Sequence, residues 1–236
     1  MYIMKKCRLS LLLFCLLPFT ALCSGWYGEA DVSNVLYNQP GNATLANPST
    51  GDNTYFPSSI NPTFAGALNF GYEFRNYNLF LPALRLGLMY EYFTPFEVDG
   101  FLVNSSGREN FKYYDQSQAA FLAAQLDLFN ASGFAPYISA AAGAAANQFY
   151  GYQEEDDNPS NSYLGRLYFP FAWQLGAGVS YTFLPHWTLG LGFTFTNLGA
   201  VKSGSGSVPS TGAALAPLSY SPVEASAVML SIRNTL

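Results

Sequence analysis

Large apolar residues and small or polar residues alternate with a period of two along most of the chain. Trp26, Gly28, Ala30 and Val32 interleave with Tyr27, Glu29, Asp31 and Ser33. Phe64, Gly66, Leu68, Phe70, Tyr72 and Phe74 interleave with Ala65, Ala67, Asn69, Gly71, Glu73 and Arg75. From Phe80 to Tyr92 the even positions are mostly Leu and Tyr, and the odd ones include Ala83, Arg85, Gly87, Met89 and Glu91. Such alternation marks a strand whose two faces meet different surroundings. Further strands are predicted over about Gln116 to Phe129, Phe134 to Asn147, Phe171 to Tyr181, Trp187 to Thr196 and Val223 to Leu236. The stretch after Phe134 is nearly all alanine and could form a helix. Its neighbours and Gly143 favour a strand.

Eight strands result, of the length a tilted strand needs to cross a bilayer. Their connections alternate in length. Asn76-Tyr77-Asn78, Asn130 to Gly133 and Leu184-Pro185-His186 are short, whereas about 35–62, 95–113, 148–167 and 198–222 are long. Short turns at one end and long loops at the other are the pattern of an outer-membrane barrel. Phe74, Phe80, Phe129, Phe134, Phe183 and Trp187 flank the short turns, and Tyr90, Tyr92, Tyr113, Tyr114 and Tyr168 flank the long loops. They predict two interfacial girdles.

Composition sharpens this picture. Of 236 residues, 50% are hydrophobic, 17% aromatic and only 11% charged. A soluble domain carries roughly 25% charge. So few charges exclude disorder and argue against a cytosolic surface. The net charge of −5 excludes a nucleic-acid footprint, which needs a basic patch.

Lys5, Lys6 and Arg8 precede an apolar stretch from Leu11 to Leu22, and Ala21-Leu22-Cys23 offers a small-x-small cleavage pattern. This reads as a cleavable signal peptide over 1–23, leaving 24–236 as the barrel domain. Leu22 is too large for a lipoprotein signal. All three cysteines leave with the signal, so the mature chain has no disulfide and no thiol metal site. No later stretch is apolar and long enough for a membrane helix. A closed barrel is the other way to satisfy every backbone group in lipid. A soluble ligand-binding barrel would point its apolar face inward. Here one face carries Trp, Phe, Leu and Tyr and the other Gly, Ala, Ser, Thr and charges, which suits lipid outside and a crowded lumen inside.

The run from Phe171 to Tyr181, followed by a short turn, by Trp187 to Phe195 and by Asn197-Leu198-Gly199, resembles the bacterial outer-membrane barrels of the OmpA transmembrane and opacity-protein type. Pro136-Tyr137-Ile138 before Gly and Ala is similar to that family's fifth strand. The resemblance implies a barrel and no particular activity. Such barrels usually end in an aromatic residue with another two before it, which the assembly machinery reads. Leu236 and Asn234 stand there instead.

The candidate chemistry is sparse. A lipid-modifying barrel enzyme would need a histidine beside a nucleophile at the outer rim. His186, the single histidine, falls in a short turn at the opposite end. Glu154-Glu155-Asp156-Asp157 lacks the spacing of a calcium loop and reads as a solvated loop tip. Gly176, Gly178, Gly190 and Gly192 alternate inside strands, so they form no phosphate loop. Asn104-Ser105-Ser106 is an uninformative sequon in a bacterial barrel, and 204–207 reads as flexible loop. The informative set is Glu29, Asp31, Glu73, Arg85, Asp127 and Arg233, all expected to point into the lumen. Ionised groups away from water need partners, and an eight-stranded barrel holds little besides side chains. They read as an ion-pair network plugging the lumen. Glu73 is the first expected partner of Arg85, with Asp31 and Glu29 as alternates.

The sequence thus predicts an all-β, eight-stranded antiparallel up-and-down transmembrane barrel in the bacterial outer membrane, both termini periplasmic. Its expected role is structural or adhesive, through four long surface loops. A narrow passive pore is the alternative, and an outer-leaflet lipid-modifying enzyme a weaker third. No enzyme activity, cofactor, metal or nucleic-acid partner is expected. Outer-membrane lipids, the barrel-assembly machinery and an extracellular loop partner are. Leu86 should face lipid, and Gly87→Ser should be mild.

Overall fold

In the computed structural model the described residues are 23–38, 41–47, 51–75, 83–104, 107–154, 161–220 and 222–236. Of the expected signal segment only Cys23 lies among them, where it opens the first strand. The turn at 76–78 and Phe80 lie outside them.

The described residues form strands and no helix. Eight strands build a barrel: β1 Cys23–Tyr37, β2 Thr63–Arg75, β3 Ala83–Phe93, β4 Gly107–Asp127, β5 Phe134–Glu154, β6 Phe171–Leu184, β7 Trp187–Asn197 and β8 Glu224–Thr235. Each pairs antiparallel with the next. β8 returns to β1 in register from Tyr27↔Thr235 to Tyr37↔Ala225, so the sheet closes and has no free edge in the wall. The alanine-rich segment is a strand, paired from Phe111↔Glu154 to Asp127↔Tyr137. Gly143 permits this approach, because a Cβ there would overlap the Ala120 carbonyl.

The two faces separate as the alternation predicts. Leu68, Leu88, Leu122 and Leu191 are 60–71% exposed on the outside. Water would not tolerate so continuous an apolar wall on a monomer, whereas hydrocarbon requires it. Phe129, Phe134, Phe183 and Trp187 are exposed around the end with short turns. Tyr90 and Tyr92 are exposed toward the other end, with hydroxyls partnered by Gln118 and Gln116. Tyr113 departs from the expected girdle: it is 2% exposed and packed inside the loop cluster.

The loops are not the unstructured connections expected. β4 and β5 each run 21 residues, well past the apolar belt. Phe96–Asn104 folds back on the upper part of β4, Gly51–Ile60 pairs with Phe96–Asn104, and Ala43–Asn47 pairs with Gly51–Ile60. The barrel wall therefore continues as a β-sheet above the membrane. The 204–207 stretch contributes a short strand, Gly206–Ser207, between Ala214–Leu215 and Ser162–Tyr163.

The lumen is filled by side chains. Tyr27 and Tyr137 are buried and lie sideways along the inner wall, over Gly71 toward Gly87 and over Gly178 toward Gly192, glycines of the neighbouring strands that leave room for them. A Cβ at Gly87 would lie 2.6 Å from the Tyr27 hydroxyl, 2.5 Å from Asn69 Oδ1 and 2.9 Å from the Phe70 carbonyl. The expectation that Gly87→Ser would be mild is therefore corrected. The position is small because a tyrosine and a backbone carbonyl occupy the space.

Candidate functional site

Two regions carry polar chemistry: the charged lumen and the cap formed by the long loops. The lumen is built by the inward face of each strand, so its register decides which charges meet. Glu73 on β2 lies directly opposite Arg85 on β3. On the other side Arg85 faces Gln125 of β4, with Asp127 one inward position further along. Arg85 Nε donates to Glu73 Oε2 at 2.5 Å, and its two terminal nitrogens donate to Asp127 Oδ1 and Oδ2 at 2.6 and 2.8 Å. The second pair is bidentate, the geometry guanidinium and carboxylate favour. Arg75 also pairs with Glu73. Arg85, Glu73 and Asp127 are all under 5% exposed, so this cluster ties the three neighbouring strands β2, β3 and β4 together on the lumen side as a buried ion-pair bridge.

Above it, Arg233 on β8 pairs with Glu29 on β1 at 3.5 Å, through directly opposed backbone positions. Among the described residues Asp31 joins no ion pair, and its Oδ1 and the Arg233 Nε are both buried without a hydrogen-bond partner. Neither Asp31 nor Glu29 is a partner of Arg85; Asp127 is. Three lumen groups fall outside the expected network. Arg75 is the second base on Glu73. Glu91 is buried and accepts from Gln174 Nε2 at 3.0 Å. Asp115 is 1% exposed, with Phe96 and Phe149 opposite it on the two neighbouring strands. The alternation Phe111, Tyr113, Asp115, Ser117 was the available signal for Asp115.

The outward side of β4 turns polar at Gln118 and Gln116, so Asp115 stands above the apolar belt. Burial pushes its carboxyl up to about 8.

The loop cap has its own core. Tyr113 stacks on Tyr220 with centroids 5.3 Å apart and packs against Phe149 at 4.8 Å. Phe111 stacks on Tyr152 at 5.9 Å. The Tyr55 and Tyr163 hydroxyls share a hydrogen bond of 3.0 Å, tying the first loop to the third. Burial pushes the Tyr55 hydroxyl up to about 12. Glu154 accepts from the backbone and side-chain nitrogens of Asn161, both at 2.9 Å, and from the Tyr152 hydroxyl at 2.8 Å. Burial raises its pKa. Glu154 is thus a structural hub and not part of a solvated tip; residues 155–157 lie outside the described ones. Asn147 Nδ2 donates to the Leu198 and Ala200 carbonyls, anchoring the fourth loop to β5.

His186 is exposed in the turn between β6 and β7, where its carbonyl accepts from the Thr235 backbone at 2.9 Å. It therefore stands at the end where the described chain begins and finishes, far from the loop cap. Among the described residues no group of three or more His, Cys, Asp or Glu converges as a metal site.

A closed eight-strand antiparallel wall, apolar outside and charged within, defines a membrane-spanning β-barrel. Two solved structures agree on the fold. The outer membrane protein OprG from Pseudomonas aeruginosa aligns with TM-score 0.57 and 12% identity, over 89% of this chain and 95% of that one. The outer membrane protease OmpT from Escherichia coli aligns with TM-score 0.51 and 8% identity, over 91% and 95%. Neisserial surface protein A aligns with TM-score 0.47 and 16% identity, over 90% and 99%. No family model and no curated protein sequence matches the chain.

Proposed function

We propose that the protein is an integral barrel of the bacterial outer membrane whose lumen is closed and whose role, structural or adhesive, is carried by its loops. On this reading the end bearing His186 and both termini faces the periplasm and the loop cap faces the exterior. The observation that carries it is the packed cap. A chain serving only as a membrane plug has no use for a second aromatic core above the bilayer, held by Tyr55, Tyr113, Tyr163 and Tyr220. Ordered loops present a fixed surface, and a fixed surface binds at lower entropic cost than a mobile one.

A second reading, a narrow passive pore, draws on a vestibule of about 430 Å³ at the terminal end, lined by Arg75, Arg85, Asn130 and Thr182. Arg85 and Asp127, joined as an ion pair, both line it. The test is binding of cells or vesicles carrying the wild type, and of variants lacking one loop each, to extracellular-matrix and cell-surface preparations. Loss of binding on removing a loop supports the reading. Equal binding with and without the protein overturns it.

A further inference from the structure

Where the barrel wall passes into the loop sheet, the alternation along the chain is broken once. Pairing with β4 ends in β3 at Tyr92↔Gln118 and resumes in the next strand at Phe96↔Asp115. Phe93, Thr94 and Pro95 therefore stand against only Gln116 and Ser117. The extra residue is a bulge, and Pro95 has no backbone N–H to give the ladder. One residue of slip exchanges the faces of a strand. Phe96 is accordingly buried inside, and Glu97 comes out onto the wall. There it lies directly opposite Tyr114 of β4, which lies opposite Tyr150 of β5.

This row of three builds a groove. The Tyr114 and Tyr150 rings stack with centroids 5.7 Å apart, and the Tyr114 hydroxyl donates to Glu97. Asn61, Pro62 and Pro95, at the bases of the first two loops, complete a space of about 410 Å³. Glu97 is the one charged group that lines it, and among the described residues no basic side chain pairs with Glu97. Lys112, one outward position higher on β4, is opposed to Asp99 instead.

The groove is continuous with the lipid-facing wall. Upward along the outer face of β4, Leu122 is followed by Ala120, Gln118, Gln116 and then Tyr114. Gln116 donates to the Tyr92 hydroxyl at the girdle. Tyr114 stands two residues beyond it, about 7 Å of strand. The headgroup layer is about 5–8 Å thick on each side of a bilayer. A lipid whose chains lie along Leu88 and Leu122 thus holds its headgroup at the row of Glu97, Tyr114 and Tyr150. An acid without a base disfavours a phosphate at that row and favours a cation. Aromatic rings beside the acid attract an ammonium group through their negative faces.

We propose that this groove binds the ammonium headgroup of a membrane lipid, of the phosphatidylethanolamine class, in the leaflet on the loop side. The ammonium lies against Glu97 and the Tyr114–Tyr150 pair, its phosphate stays in the wet headgroup layer, and the acyl chains follow the outer wall. The inference rests on the membrane-spanning barrel and is independent of what the loops bind.

The experiment mixes the mature protein in detergent micelles with equal amounts of phosphatidylethanolamine and phosphatidylglycerol bearing the same acyl chains. Native mass spectrometry counts the lipids retained. The wild type should retain the ethanolamine lipid over the glycerol lipid by about fivefold or more. Glu97→Gln and Tyr150→Leu should each cut that preference at least by half. Glu224→Gln, at an acid on the same face of β8 as Leu230, should leave it intact. Heat-shift gels check that each variant folds, and if one of the two groove variants fails to fold, the other decides. Glycerophosphoethanolamine, the same headgroup without chains, should displace the lipid only in large excess; displacement at equal concentration overturns the lipid as occupant. Equal retention of the two lipids, preference for the anionic one, or a preference that survives in the folded groove variants overturns the proposal.

Discussion

Replacing Arg85 by methionine removes three charge-assisted hydrogen bonds and keeps most of the side-chain volume. Its partners fare differently. Glu73 retains Arg75, but Asp127 loses both of its bonds and is left as a buried lone carboxylate. Breaking a buried pair from one side costs about 3–5 kcal/mol, most of it the cost of the stranded charge. At about 2–4 °C per kcal/mol for a chain of this size, the unfolding midpoint should fall by roughly 6–20 °C. The double variant Arg85→Met with Asp127→Asn removes the stranded charge and should recover at least half of the loss. Arg85→Met with Glu73→Gln should recover less, because Asp127 then stays stranded. Heat-shift gels and urea unfolding in detergent measure all four proteins. Wild-type stability in the single variant would refute the ion-pair bridge. Equal rescue by the two double variants would refute the assignment of Asp127 as the main partner.

Other expectations are directly measurable. Leu86, 46% exposed on the outer wall, should tolerate Arg poorly, at about 2–4 kcal/mol near mid-bilayer, seen as reduced insertion into vesicles. Gly87→Ser should also destabilise, through contact with Tyr27 and the Phe70 carbonyl, and Gly87→Ser with Tyr27→Phe should regain part of the loss; full tolerance of the single change would contradict the packing. Glu154→Ala removes the carboxylate that accepts from both Asn161 and Tyr152, so protease nicking of the third loop should quicken while the barrel midpoint holds. Asp115 is protonated in the folded chain up to about 8 against an ordinary 3.8, so the folded state binds the extra proton. Its contribution is present below the lower value and lost as pH rises through the upper, and Asp115→Asn should flatten that part of the stability profile.

The barrel itself was legible because its signal repeats in every strand. Inside and outside differ in both size and polarity, so one residue of slip would put Arg85 or Glu73 in lipid. Glu73 could be named as a partner because only a short turn separates β2 from β3. Asp127 could not be ranked first, because a long connection leaves the β3–β4 register open until the sheet is built. The loops were misread for a related reason. Above the membrane both faces of β4 meet protein or water, so Lys112, Tyr114 and Gln116 do not contrast sharply with Tyr113, Asp115 and Ser117. Gly87 looked like a small residue on a permissive face because sequence shows no depth. The facing Tyr27, which fills its space, comes from a strand more than fifty residues earlier.

We propose that Arg85, Glu73 and Asp127 close the lumen of the barrel. Single-channel recording on the mature wild type in planar lipid bilayers, at molar potassium chloride, tests it most directly. The wild type should give no steady openings above the lipid background, and Arg85→Met should give discrete cation-selective openings. Steady openings of the wild type that Arg85→Met leaves unchanged would contradict it.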